Sequence, residues 1–206
     1  ISVDDHAENS IVVASGANML LNEQDVDKVV EEMCEGDILL MQLEIPIQTV
    51  EYAARRAFEK GVKVVLNPAP ARSLPKELLR YLFMITPNRI EAEMLTGIKI
   101  VNDADAERVA KEISAMGVQN IIVTLGSKGC LVREGDTSYC VDAFKVEPVD
   151  TTAAGDTFNG ALCVGLAEGM NLRQAAVMAS KASSVAVTRM GAQSSIPHRK
   201  ELDLNE

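Results

Sequence analysis

The segment of residues 150–158 combines two aspartates with a run of very small side chains. Apolar residues recur at helical spacing from Phe158 onward, so residues 153–156 are predicted to form the first turn of a helix. The N–H groups of a first turn lack partners inside the helix, and small side chains leave them open to an anion. A carboxylate beside them, at Asp156, could take a proton from a hydroxyl group while the amides receive charge on a transferred phosphoryl group. These residue types therefore indicate phosphoryl transfer.

A purely structural interpretation competes with this one. An acidic residue near a helix N-terminus is common, because the helix dipole stabilises it. A helix cap does not require three consecutive small residues, whereas Ala153, Ala154 and Gly155 expose the backbone along the whole predicted turn. The run of small residues favours a binding site.

The elements that must position these residues follow an alternating pattern. Short apolar runs, which read as buried strands, are separated by segments of helical periodicity. The predicted strands of this region cover residues 38–43, 62–66, 83–85 and 121–125. Asn22 and Pro46 are predicted to begin two of the helices. The alternation predicts an α/β fold with a mostly parallel central sheet and helices on both faces.

The pattern changes at both ends of the chain. Beyond residue 130, short antiparallel strands are predicted at residues 130–133 and 137–141, and two long helices follow from Thr157 and Leu172. Residues 1–14 contain two β-branched stretches around a polar turn, which predicts a hairpin.

Polar residues and glycine follow the predicted strands. In an α/β fold, ligands bind beyond the carboxyl ends of the strands. The residues at these positions are Glu44, Asn67, Asn88, Gly126 and the segment 150–156. Purely structural explanations compete with a binding role for several of these residues. Glu44 could be a solvated turn residue, and Asn67 before Pro68 could simply favour a turn. Glu91, near Asn88, could be a first-turn helix carboxylate, and Gly126 lies in a loop that lacks phosphate-loop spacing.

Composition excludes several classes of function. The 206 residues carry a net charge of -10, which is the wrong sign for general binding to nucleic acid or to anionic lipid. Apolar runs are far shorter than the roughly 20 residues of a membrane helix. The four cysteines form no C-x-x-C pair, so neither a zinc site nor a disulfide framework is predicted, and a reducing cytoplasm is expected.

Six stretches together resemble one family. The segment Asp150–Phe158 looks like the second signature of the PfkB sugar-kinase family, and the whole chain is similar to its ribokinase-like members. The supporting stretches, in the family's order, are Met41–Glu44, Asn67–Ala71, Thr86–Glu91, Val123–Gly126 and Val187–Gln193. The resemblance implies a ribokinase-like three-layer α/β sandwich with a mostly parallel sheet and a small β lid.

The resemblance also implies an activity. Ribokinase-like enzymes use ATP to phosphorylate the 5-hydroxyl of D-ribose, giving ribose 5-phosphate, with Mg²⁺ and K⁺ as cations. Deoxyribose, a nucleoside or fructose 1-phosphate are alternative substrates within the family. A non-catalytic nucleotide-binding module is the alternative if the natural chain lacks its N-terminal part. The expected partners are a small sugar and ATP, with no nucleic acid and no membrane.

Site residues carry over where the motifs match. Asp156 is expected to be the base and to contact the sugar hydroxyl, and the amides of Ala153, Ala154 and Gly155 are expected to form the anion hole. Glu44 falls where the family contacts the sugar.

Cation and nucleotide residues carry over in the same way. The residues that match the family's potassium loop are Asp150, Thr152, Gly191 and Ser195. Asn88 and Glu91 match an N-x-x-E motif that orders Mg²⁺ and phosphate through water, and Thr124 and Gly126 fall at the nucleotide.

The domain organisation is expected to be incomplete relative to the family. Residues 1–14 would be the last part of the β lid and residues 15–206 the kinase body, with the family's N-terminal part absent from this chain. The lid is expected to pair with a second subunit in a full-length homodimer. A fragment without much of the sugar site is expected to be a poor kinase, because the sugar is not held in place.

Overall fold

The computed structural model describes residues 1–3, 9–10 and 12–202. The chain divides into two compact units. The first unit comprises Ile1–Ala14, Gly126–Gly129 and Val141–Glu206, and the second comprises Ser15–Leu125 and Cys130–Cys140. Within the described residues, no helix is both long enough and apolar enough to cross a membrane.

The elements follow the chain as helices and strands in alternation. The strands are β1 Ser2–Val3, β2 Asn9–Ser10, β3 Ile38–Met41, β4 Lys63–Leu66, β5 Met84–Ile85, β6 Asn120–Thr124, β7 Cys130–Glu134 and β8 Thr137–Val141. The helices are α1 Glu23–Glu32, α2 Ile47–Glu59, α3 Lys76–Leu79, α4 Arg89–Thr96, α5 Asp103–Ala115, α6 Ala154–Ala167 and α7 Leu172–Ala186.

The second unit is built on a six-stranded sheet whose strand order, β3-β4-β5-β6-β7-β8, follows the chain. Strands β3 to β6 run parallel, and β7 runs antiparallel to β6. The predicted α/β fold with a mostly parallel sheet is therefore confirmed. Val64, Leu66 and Ile121 are fully buried, as expected for parallel strands that have apolar neighbours on both faces.

Carboxyl-terminal extensions of the parallel strands stay side by side. The N–H of Asn67 donates to the carbonyl of Met41 at 2.9 Å, and the N–H of Thr124 donates to that of Pro87 at 3.0 Å. The loops that follow β3, β4, β5 and β6 consequently begin at one edge of the sheet.

Side-chain caps fix where α1, α4 and α5 of the second unit begin. Asn22, Asn88 and Asn102 each accept a hydrogen bond from a backbone N–H in the first turn of α1, α4 and α5. Such a cap satisfies a donor that has no partner inside the helix and stabilises it by about 1 kcal/mol. The predicted start of α1 at Asn22 is confirmed, and α2 follows Pro46 as predicted.

The first unit holds the opening hairpin and the last two long helices. Strand β1 pairs antiparallel with β2, as the predicted hairpin requires. The strands are shorter than predicted, because Asn9 belongs to β2 instead of the turn and residues 12–14 form no strand, while residues 6–8 of the predicted turn lie outside the described residues. Helices α6 and α7 approach closely at Gly165. A Cβ at this position would lie 3.1 Å from the Ala175 Cβ and 3.1 Å from the Met178 Cε, which is tighter than ordinary van der Waals contact.

A second close approach in the first unit involves Gly129. Its backbone has a φ of +88°, and a Cβ placed on it would overlap the carbonyl oxygen of Val141 and lie 2.7 Å from the Ala143 nitrogen. Only glycine fits this position.

Candidate active site

Helix α6 of the first unit begins one residue later than the sequence predicts. Ala153 does not belong to the first turn, because its backbone lies in the left-handed region with φ 59° and ψ 13°. It is the N-cap, and the helix begins at Ala154. Left-handed geometry costs a residue with a Cβ about 1–2 kcal/mol. Strain of this kind is concentrated at functional sites.

The backbone amides at this N-terminus are not equivalent. The N–H of Ala154 donates to the carbonyl of Thr151 at 3.2 Å, so one amide of the predicted anion hole has a partner in this conformation. Gly155 is exposed, and helix geometry gives its N–H no partner within α6. Asp156 is exposed in the same turn, at the positive end of the helix dipole.

Asp150 joins two loops of the first unit. Its side chain is buried, and one carboxylate oxygen accepts from the N–H of Thr152 while the other accepts from the N–H of Gly191, both at 2.9 Å. The Thr152 side chain, and then the amides of Gly191 and Thr152, lower the pKa of the Asp150 carboxyl. The carboxylate is thus held in its charged form inside the protein.

The structure brings three of the four predicted potassium residues together through these hydrogen bonds. Ser195, the fourth, is fully buried in the loop beyond Gly191, and its hydroxyl donates to the carbonyl of Ala192 at 2.7 Å. Both Asp150 oxygens already accept hydrogen bonds, so this carboxylate would supply charge, and hydroxyl and carbonyl oxygens of the two loops would supply most of the ligands. Oxygen ligands of this kind fit a hard cation such as K⁺.

In the second unit, Asn88 and Glu91 form reciprocal hydrogen bonds. The N–H and the side-chain amide of Asn88 donate to the two Glu91 oxygens at 2.8 and 2.9 Å, and the Glu91 N–H donates to the Asn88 side-chain oxygen at 2.9 Å. This capping box explains both residues structurally. Burial raises the pKa of Glu91, and the hydrogen bond from the Asn88 backbone opposes that shift.

The capping box also limits how Glu91 could meet a metal. Both of its oxygens already accept hydrogen bonds, so the pair fits a magnesium ion held through water better than one held directly. In the part of the chain that the structure describes, no three His, Cys, Asp or Glu side chains form a group that could hold a metal ion.

Thr124 lies next to this pair, whereas Gly126 belongs to the first unit. Asn88, beyond the end of β5, forms an isolated parallel bridge with Thr124, the last residue of β6. Gly126, with φ +61°, begins a short 3-10 turn that ends at Lys128.

Glu44 lies in the wall of a pocket of about 310 Å³ in the second unit. The side chain is exposed at the end of β3, while most of the pocket wall is aliphatic and comes from α1 and β3. Polar groups that a sugar could use are confined to Asn18, Asp25, Gln42 and Glu44.

Sequence reasoning missed two polar residues close to the start of α6. Asn159 is buried and Ser183 is half-buried, and each donates to a carbonyl of the first turn. The available signal was weak: each is a polar residue within a mostly apolar helical pattern.

Comparison with known proteins places the chain in a family. The profile of the pfkB family of carbohydrate kinases matches residues 1–199. A ribokinase of Haemophilus influenzae is 45% identical over 201 residues, which cover 98% of this chain and 66% of the relative.

Two solved structures agree with this match. The crystal structure of a Thermotoga maritima ribokinase has a TM-score of 0.84 at 40% identity. The match covers 97% of this chain and 65% of the Thermotoga chain. An Arabidopsis thaliana ribokinase, solved with ribose and ATP, has a TM-score of 0.84 at 31% identity. This match covers 94% of this chain and 63% of the Arabidopsis chain. The chain therefore spans about two thirds of the length of these relatives, with a ribokinase-like α/β fold, and it belongs to the pfkB family of carbohydrate kinases.

Proposed function

We propose that the complete protein carrying this chain transfers the γ-phosphoryl group of ATP to the 5-hydroxyl of D-ribose, giving ribose 5-phosphate. The observation that carries the proposal is the start of α6, where Asp156 and Gly155 are exposed together in a first turn that follows a strained cap. Family membership and the 45% identity to a ribokinase support the reaction and the sugar.

In this proposal Asp156 is the base. Its carboxylate takes the proton of the sugar hydroxyl as the oxygen attacks phosphorus, and the Gly155 amide receives charge that develops on the phosphoryl group. The amides of Ala153 and Ala154 complete the anion hole, with the Ala154 N–H first leaving its 3.2 Å bond to Thr151. The developing negative charge also lies at the positive end of α6.

The same proposal assigns the cations. Mg²⁺ neutralises phosphate charge when bound, and K⁺ fixes the loop that precedes the anion hole. Asp150, Thr152, Gly191 and Ser195 are the proposed potassium residues. Glu91 is the proposed magnesium residue, acting through water. The buried Asp150 carboxylate supports the first assignment, and the Asn88–Glu91 capping box supports water between Glu91 and the metal.

Substrate contacts are assigned to the sheet edge and its loops. Glu44 would contact the sugar, and Asn88, Thr124 and Gly126 would contact the nucleotide. The exposure of Glu44 at the end of β3 is compatible with this role, as is the bridge between Asn88 and Thr124.

The remaining parts of the proposal concern the whole protein. Residues 1–14 would form the last part of the lid, ahead of a kinase body over residues 15–206. The complete protein would be a cytoplasmic homodimer that pairs through its lid. The 206-residue chain alone would be a poor kinase.

The test is turnover of the complete gene product with ATP, Mg²⁺, K⁺ and D-ribose. We expect Asp156→Asn to lower kcat by roughly 10²–10⁴-fold, because the base is lost, while nucleotide affinity changes little. Glu147→Gln, which neutralises an exposed carboxylate of the same unit, is the control and should leave kcat unchanged.

Three outcomes would count against the proposal in different ways. Full turnover in Asp156→Asn would remove Asp156 from the role of base. Faster turnover of deoxyribose or a nucleoside than of ribose would keep the kinase and replace the substrate. ATP binding without turnover of any sugar would replace the kinase by a nucleotide-binding module.

A further inference from the structure

Two side chains hold the carbonyl groups of the first turn of α6. The side-chain amide of Asn159 donates to the carbonyl of Gly155 at 2.9 Å, and the hydroxyl of Ser183, on α7, donates to the carbonyl of Ala154 at 3.0 Å. Asn159 is only 3% exposed, and Ser183 is half-buried between the two helices. Both donors lie within the first unit.

These carbonyls belong to a particular pair of peptide groups. A peptide group joins the carbonyl of one residue rigidly to the N–H of the next. The Ala154 carbonyl is therefore fixed to the Gly155 N–H, and the Gly155 carbonyl is fixed to the Asp156 N–H. A hydrogen bond received at the oxygen orients the whole plane and polarises its N–H, which becomes a stronger donor.

The bonds are additional to those of the helix itself. In an α-helix each of these carbonyls already accepts from the N–H four residues further along. The extra donors from Asn159 and Ser183 are not needed to form α6, but they restrict the planes at the end where the helix would fray.

We propose that Asn159 and Ser183 are positioning residues that orient and polarise the Gly155 and Asp156 amides towards the transferred phosphoryl group. This inference rests on the proposed function, since it is that function which gives the amides an anion to bind. Neither side chain touches substrate in this proposal. Each acts through the peptide group that it holds.

The experiment removes each donor in the complete protein. Ser183→Ala deletes the hydroxyl, and Asn159→Leu deletes the amide at similar volume. We expect each variant to lower kcat about three- to tenfold, the effect of one neutral hydrogen bond, with the KM for ATP changed less than about twofold. Inhibition by ADP with aluminium fluoride, which mimics the phosphoryl group in transfer, should weaken by a similar factor.

Matched variants separate positioning from general damage to α7. Ser184→Ala removes a neighbouring buried hydroxyl that donates to the Lys181 carbonyl at 2.7 Å, and it should leave kcat and the aluminium fluoride inhibition unchanged. Ser183→Thr keeps a hydroxyl and should restore most of the activity. Equal losses in Ser183→Ala and Ser184→Ala would overturn the inference, as would unchanged kcat in both Ser183→Ala and Asn159→Leu.

A second measurement does not depend on kinase activity. The Thr157 N–H donates to the Ala153 carbonyl at 2.9 Å, so its hydrogen exchange reports the order of this turn. Exchange should become several-fold faster in Ser183→Ala and Asn159→Leu but not in Ser184→Ala. If all variants exchange alike, the inference fails even in an active kinase. If the exchange differs while the complete protein turns over no sugar, the proposed function fails and the bracing of the turn stands.

Discussion

Asp150 and Glu91 are both buried carboxylates, yet their surroundings shift their pKa values in opposite directions. The Thr152 side chain and two backbone amides lower the pKa of Asp150, whereas burial raises that of Glu91 despite the hydrogen bond from Asn88. A lowered carboxyl pKa contributes stability above the unfolded pKa, and this contribution is lost as pH falls through the folded value. For Glu91 the sign is reversed. Its charge destabilises the fold above the folded pKa, and protonation relieves that cost.

The reversed sign gives a prediction for Glu91→Gln. Between the unfolded pKa near 4.5 and the raised folded value, the native state binds more protons than the unfolded state, so Glu91 makes stability fall as pH rises. The free energy of unfolding of Glu91→Gln minus that of wild type should therefore increase from pH 4 to pH 7. Urea unfolding at several pH values measures this difference. Glu93→Gln, which alters another carboxyl of α4, serves as the control. A difference that stays constant or decreases would contradict the assigned pKa shift.

For single residues, the sequence predicted functional roles where those roles depend on residue type and spacing. The segment holding Asp150 and Asp156 was identified because small residues and carboxylates recur together there. Asn159 and Ser183 were missed because their significance lies in a hydrogen-bond direction that the sequence does not contain. The Asn88–Glu91 capping box follows the known N-cap pattern, but which role the pair serves cannot be read from spacing alone.

The left-handed cap of α6 restricts which residues are tolerated there. Valine at position 153 would place a branched side chain at φ 59°, so we expect Ala153→Val to lower the free energy of unfolding by about 1–2 kcal/mol or more. Ala153→Gly relieves the strain but raises the conformational entropy of the unfolded chain. These two effects oppose each other, so the net change should stay within about 1 kcal/mol. Chemical denaturation of both variants measures the contrast. Equal stability of the valine and glycine variants would show that the turn is not held in this conformation.

The contact between α6 and α7 gives a prediction based on two glycines of one helix. Gly165→Val should destabilise the fold by about 1–3 kcal/mol, because the added carbons would press on Ala175 and Met178. Gly160→Ala, where a Cβ meets nothing within 4 Å, should instead stabilise by about 0.5–1 kcal/mol through helix propensity. Thermal or urea unfolding of the two variants tests the pair. A stabilising Gly165→Val would contradict the close approach of the helices.

Elements were predictable where local signals agree. The cap at Asn22 and the apolar run of β6 both identify their elements, although the ends of β6 shift by one residue. The predicted start of α6 was wrong by one residue. The left-handed backbone at position 153 belongs to an alanine, whereas glycine is the residue from which such a conformation is usually predicted.

On the scale of the whole molecule, β3 is the end strand of the described sheet and lies beside an aliphatic pocket. An unpaired strand edge next to apolar surface promotes association between chains. We expect the 206-residue chain to associate as its concentration rises, and Val29→Lys, at a pocket residue that is 57% exposed, to reduce this association. Val101→Lys, at an exposed valine of the second unit outside that pocket, is the control. Light scattering over a concentration series measures both, and equal association of the two variants would locate the contact elsewhere.

The division into two units could not be predicted from the sequence. Residues 126–129 belong to the first unit although they lie between β6 and β7 of the second. Membership of this kind depends on contacts between residues far apart in the chain, and local periodicity carries no information about them.

Gly129 shows how such a contact would appear in a library of variants. Saturation mutagenesis should find that this position accepts glycine alone, because any side chain would collide with the Val141 carbonyl. In a stretch reading Gly-Ser-Lys-Gly, that intolerance would invite the conclusion that Gly129 binds phosphate. The geometry gives a different reason. Glycine would be required because the backbone at this position passes very close to the backbone of residues 141–143, and no ligand is needed to explain the result.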